Sequence, residues 1–78
     1  MVRAYEEIVD FLAAGTSPRA LINFRPSDEA RARVWDLIAR EKTDGLSADE
    51  TSELQHYLQL EHLMRLAKAR ARAHVADE

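Results

Sequence analysis

The chain has 78 residues, of which 46% are hydrophobic and 32% charged, and a formal net charge of −3. That balance suits one small helical domain, excludes a disordered chain, and excludes a protein drawn to nucleic acid by its overall charge. With no cysteine there can be no disulfide, thiolate metal site or cysteine nucleophile. No apolar run approaches the ~18 residues of a membrane span, and none at the N-terminus is long enough for a signal peptide, so a cytoplasmic location is the expectation.

Tyr5, Ile8, Val9 and Leu12 recur at i, i+3, i+4 and i+7 and predict an amphipathic first helix over about 3–14. Phe11 widens its stripe, and Gly15 fits a C-terminal stop. Ser17 and Pro18 supply the N-cap and first position of a second helix over about 18–25, with Ala20, Leu21 and Phe24 on its apolar face. Pro26 ends it, because a residue before proline is pushed out of the α region. Ser27 caps a third helix over about 28–42, with Asp28 and Glu29 in the first turn. Ala30, Val34, Leu37, Ile38 and Glu41 mark its inner face, Trp35 covers the edge of the core, and Arg31, Arg33 and Arg40 lie in solvent.

Thr43-Asp44-Gly45 reads as a turn, with Gly45 free to take the left-handed conformation. Ser47 and Glu50 then form a capping box that opens a fourth helix over about 48–75. At ~1.5 Å per residue that helix runs roughly 40 Å, long for so small a chain. So short a connection makes the third and fourth helices an antiparallel hairpin, with Leu37 and Ile38 packed against Leu54 and Leu58. The expected fold is all-α, a single domain over 1–78 with two short N-terminal helices followed by a long antiparallel helical hairpin.

The long helix is apolar on more than one side. Tyr57, Leu60, Met64, Ala67 and Ala71 form one stripe, Leu54 and Leu58 a neighbouring face, and Leu63 and Leu66 the other side. A surface helix usually carries one stripe about 100° wide, so the stripe from Tyr57 to Ala71 is the expected partner interface, most simply in a homodimer. Toward the C-terminus Arg65, Lys68 and Arg72 share a face at i, i+3, i+7 and are candidate phosphate contacts, with Arg70 elsewhere. A basic helix end and solubility explain the same residues more simply.

No catalytic or cofactor motif is present. His56, His62 and His74 make no i, i+4 pair, so the helical two-histidine metal arrangement is absent and each is read as an ordinary helix histidine. Arg40 and Lys42 stand where a calcium loop would need oxygen ligands ahead of Gly45. Ser17, Ser27 and Ser47 are explained by capping, and the acidic residues by exposed faces. The expectation is a non-enzymatic protein with no cofactor and no metal.

Ser17-Pro18, Phe24-Arg25-Pro26-Ser27-Asp28-Glu29, Glu41-Lys42-x-x-Gly45-Leu46-Ser47-x-x-Glu50, Tyr57-Leu58-Gln59-Leu60-Glu61-His62-Leu63-Met64 and Lys68-Ala69-Arg70-Ala71-Arg72, in that order, resemble a family of small uncharacterised bacterial helical proteins. The resemblance covers about residues 5–73. Genes of that family often lie beside genes for HNH-type nucleases, an arrangement similar to toxin–antitoxin pairs. The resemblance implies a bacterial helical protein that binds a protein partner, in an antitoxin-like role toward a nuclease. This chain lacks the evident DNA-binding motif and the disordered tail of many antitoxins. The functional expectation is therefore a homodimerising or partner-binding module. The alternative is a small nucleic-acid-binding accessory protein that uses the basic end of the last helix.

Overall fold

The computed structural model describes residues 3–77; Met1, Val2 and Glu78, which the single-domain expectation over 1–78 includes, lie outside the described residues. All regular structure among the described residues is helical: α1 (Glu6–Ala13), α2 (Pro18–Asn23), α3 (Asp28–Glu41) and α4 (Ala48–Ala76). Each boundary has a local cause. The Glu6 carboxylate accepts the Arg3 backbone N–H at 2.8 Å, which holds the turn before α1 and delays the helix past residue 3. Ser17 Oγ accepts Ala20 N–H at 3.2 Å and Ser27 Oγ accepts Ala30 N–H at 3.1 Å, so both serines cap as their positions predict. At the head of α4 the capping box closes in both directions: Ser47 Oγ accepts Glu50 N–H at 3.1 Å, and Glu50 accepts Ser47 N–H at 3.0 Å. The chain leaves α3 through Gly45, whose φ of 83° is the left-handed conformation and whose N–H donates to the Arg40 carbonyl at 2.8 Å.

α4, 29 residues long, is the spine. Ala4, Ile8, Val34, Leu37, Leu54, Tyr57 and Met64 make one buried cluster, with Phe11, Leu21, Phe24 and Ile38 packed against it. The Ala4 N–H donates to Glu53 at 3.1 Å and Tyr5 meets His56 edge-on, with ring centroids 5.2 Å apart. Val9 lines a groove with Leu60 and Leu63, so α1 advances in the same sense as α4. The rings of Phe11 and Phe24 stack at 4.3 Å and tie α1 to the end of α2. α2 lies against the far part of α4, where Ala67 and Ala71 are small enough to admit a close helix and Ala71 is buried. Glu7 accepts both the backbone N–H and the hydroxyl of Ser27, which fixes the start of α3 to α1. The result is elongated, 50 × 22 × 19 Å. No helix among the described residues is long and apolar enough to cross a membrane.

Several expectations are corrected. Arg33 and Arg40 are not simply solvated: Arg33 makes a two-pronged contact to Glu53 at 3.0 and 3.1 Å, and Arg40 pairs with Glu50 at 2.6 Å. Glu53 is only 5% exposed, so the acidic residues are not all surface charges. Trp35, expected at the edge of the core, is 71% exposed. Glu41, placed on the inner face of α3, is exposed: it is the last residue of α3, one turn beyond Leu37, where the core ends. Leu37 and Leu54 are buried together as expected, but Leu58 is 47% exposed. One turn along from Leu54 on α4, it has come round to the rim of the α3–α4 groove.

Candidate functional site

The stripe expected to meet a partner meets the rest of the chain instead. Tyr57, Met64 and Ala71 are buried by the shorter helices, and Leu60 and Ala67 are half-buried. The reason is geometric. α1, α2 and α3 line the inner face of α4, with α2 on its far part, whereas the sequence leaves two covers open for that length, the first two helices or another chain. Tyr57, Met64 and Ala71 are therefore core, while Leu60 and Ala67 edge the grooves beside it.

Two flanks carry apolar surface. On one, Trp35 and Ile38 of α3 and Leu58 of α4 line an open groove with Val34 and Tyr57 at its base. On the other, Val9 of α1 and Leu60 and Leu63 of α4 line a second groove, beside Tyr5 and His56. Leu66 is 55% exposed, and Leu12 stands one turn beyond Val9, also exposed. Single exposed apolar residues are ordinary, but contiguous ones mark interaction surfaces.

A third concavity, about 270 Å³, opens between the α2–α3 connection and α4. Ile8, Phe24, Tyr57 and Met64 floor it, and Arg31 and Lys68 stand at its rim. Its polar groups are already engaged within the chain. Lys68 donates to the Phe24 carbonyl at 2.6 Å, Arg31 pairs with Asp28 at 2.6 Å, and Arg65 pairs with Glu61. Burial pushes the Tyr57 phenol above its ordinary value and the nearby Glu61 carboxylate adds to the effect, so the hydroxyl stays neutral. Among the described residues no group of three or more His, Asp or Glu side chains is placed to share a metal ion.

The candidate phosphate contacts are not brought together as a free basic face. Lys68 is half-buried on the Phe24 carbonyl and Arg65 is held by Glu61, while Arg72 and its neighbour Arg70 are exposed. A helix end with two exposed arginines is a weak attractor for a polyanion. Reversing Arg70 and Arg72 to glutamate is expected to leave a band-shift assay with duplex DNA unchanged, with no complex formed even at low salt. A tight complex that dissolves steeply with rising salt would contradict this.

Charge pairs fix the α3 and α1 faces. The Arg33 guanidinium holds the Glu53 carboxyl below the usual carboxylate range, with help from the Ala4 N–H and against the opposing effect of burial. The Ser27 hydroxyl and then its N–H hold Glu7 low in the same direction. The Arg33–Glu53 ion pair, with the Ala4 N–H on the same carboxylate, ties α3 and the start of the chain to α4. Comparison of the chain with protein-family models, with characterised proteins and with solved structures gives no match.

Proposed function

We propose that the chain is a non-enzymatic protein-interaction module in which α1–α3 brace α4 and the flanks of α4 receive partners. The observation that carries the reading is Trp35, which is 71% exposed on the rim of an apolar groove shared with Ile38 and Leu58. A tryptophan does little for the fold from that position, but tryptophan is among the residues that dominate binding energy when a partner buries them. The brace we infer is two short helices followed by an antiparallel hairpin of α3 and α4. Its support is the order of the ion pairs: Arg40 meets Glu50 next to the connection, and Arg33 meets Glu53 farther from it. The partner-binding role implied by the family resemblance, an antitoxin-like restraint on a nuclease encoded alongside, fits a surface of this kind. The nucleic-acid alternative loses ground because Lys68 and Arg65 have partners inside the chain.

The test separates folding from binding. Trp35→Ala is expected to change folding stability by less than about 1 kcal/mol, because an exposed side chain loses little on truncation. In the native host it is expected to abolish co-purification of the neighbouring gene product with the tagged chain. Equal recovery with Trp35→Ala and with the native chain would remove this groove from the account.

A further inference from the structure

We propose that the second flank of α4, built on Leu63 and Leu66 with Val9 beside them, docks a second copy of this chain in an antiparallel twofold arrangement. The inference rests on reading the chain as an interaction module, but it uses the opposite flank from the Trp35 groove. Three observations carry it.

The first is area. The chain exposes 5645 Å². A compact monomer of 8.9 kDa would expose about 4,800 Å² by the usual scaling of surface with mass. The surplus of roughly 800 Å² comes with the elongated shape, and a surface of that size is enough for one side of a standard interface. The radius of gyration agrees, at 14.3 Å against about 11.5 Å for a compact chain of this length.

The second is the position of the apolar groups. Leu63 and Leu66 are 52% and 55% exposed and neighbour each other on the side of α4 that turns away from α3. Val9 is 43% exposed across the groove from Leu60 and Leu63. They form one strip near the middle of α4, where a twofold axis can bring it onto itself, since an isologous contact needs a self-complementary patch.

The third is charge. α1 carries no basic residue, and with Glu7 turned to Ser27 its outward acidic residues are Glu6 and Asp10. Of the basic residues of α4 beyond residue 64, Lys68 is held by the Phe24 carbonyl and Arg65 by Glu61, while Arg70, four residues on from Leu66 and seven from Leu63, shares their face. Because α1 lies beside the first half of α4 and advances with it, an antiparallel crossing near Leu63 and Leu66 sets Arg70 of each α4 beside α1 of the other copy. A parallel crossing would set Arg70 against Arg70. Opposite potentials across the contact favour the antiparallel register and penalise the other. Arg70 of one copy then lies near Asp10 and Glu6 of the other.

The absence of native cysteine makes a clean test available. Leu66→Cys is expected to join two chains efficiently with a short thiol cross-linker, and Trp35→Cys, on the opposite flank, is expected to give single chains under the same conditions. In sedimentation equilibrium, Leu66→Glu is expected to give one-chain mass with unchanged helical circular dichroism. Asp10→Lys and Arg70→Glu are each expected to weaken association about tenfold at low salt, because twofold symmetry counts every change twice, and together they should recover it. Three results would overturn the proposal: efficient joining through residue 35 and not 66, a dimer indifferent to Leu66→Glu, or charge reversals that do not compensate. The Leu66→Glu and charge-reversal results do not bear on capture through the Trp35 groove, so that reading stands or falls separately.

Discussion

Replacing Leu37 by alanine is expected to cost about 2–5 kcal/mol, the range for truncating a fully buried leucine where the surroundings cannot collapse. Leu37 is one of the two largest side chains sealed from solvent, and its cluster joins α3 to α1 and α4 through Ile8, Leu54 and Tyr57. A domain of this size has only about 4–12 kcal/mol of stability in total. The variant should therefore show a large drop in urea midpoint, and partial unfolding at 37 °C. Leu58→Ala is the internal control, since a side chain 47% exposed has already left half of its surface in water and should cost about 1 kcal/mol or less. Equal losses for the two variants would show that the seam between α3 and α4 is not where Leu37 and Leu54 place it.

Arg33→Ala is expected to cost about 3 kcal/mol at pH 7. The loss comes less from the contact removed than from the Glu53 carboxylate left behind, buried and with only the Ala4 N–H still donating to it. The figure sits at the low end for broken buried pairs because the Arg33 side chain keeps 21% of its area in water. The pH dependence gives the sharper signature. In the native chain the folded-state pKa of Glu53 is depressed. Its contribution is therefore complete above the unfolded-state value of about 4.3 and is lost as pH falls through the lower folded value. In Arg33→Ala, burial without the guanidinium favours the neutral acid, so the sign reverses and protonation relieves the folded state. The gap in stability between the two proteins should narrow as pH drops from 7 to 4, followed by urea titration at each pH. A gap that stays constant across that range would mean that Glu53 does not carry the linkage.

The helices were legible because their signals are local. Serine caps, Pro18, Pro26, Gly15 and Gly45 act within a turn of where they stand, and the structure starts and stops its helices beside them. The apolar stripe from Tyr57 to Ala71 was legible as a stripe but not as to what covers it. Periodicity shows that a face is buried, and only the path of α2 back along α4 shows that the chain buries it itself. Leu63 and Leu66 were visible in the sequence as a separate face, and their spacing was the available signal for an outer surface. The Arg33–Glu53 pair was not legible. Its partners are twenty residues apart, and no spacing rule connects charges on different helices. Trp35 was misplaced because a large aromatic carries a strong prior for the core, and nothing local distinguishes an exposed tryptophan on the rim of a groove from one tucked under it.

The central claim is that the inner face of α4 is satisfied within one chain while an outer face is built for another copy. Sedimentation equilibrium of the native chain over a wide concentration range, paired with melting curves at the same concentrations, tests it most directly. The account predicts a mass that rises from one chain to two and stops there, with a melting temperature that climbs with concentration because association stabilises the folded chain by mass action. A mass of one chain at every concentration, with a melting temperature that does not move, would contradict it.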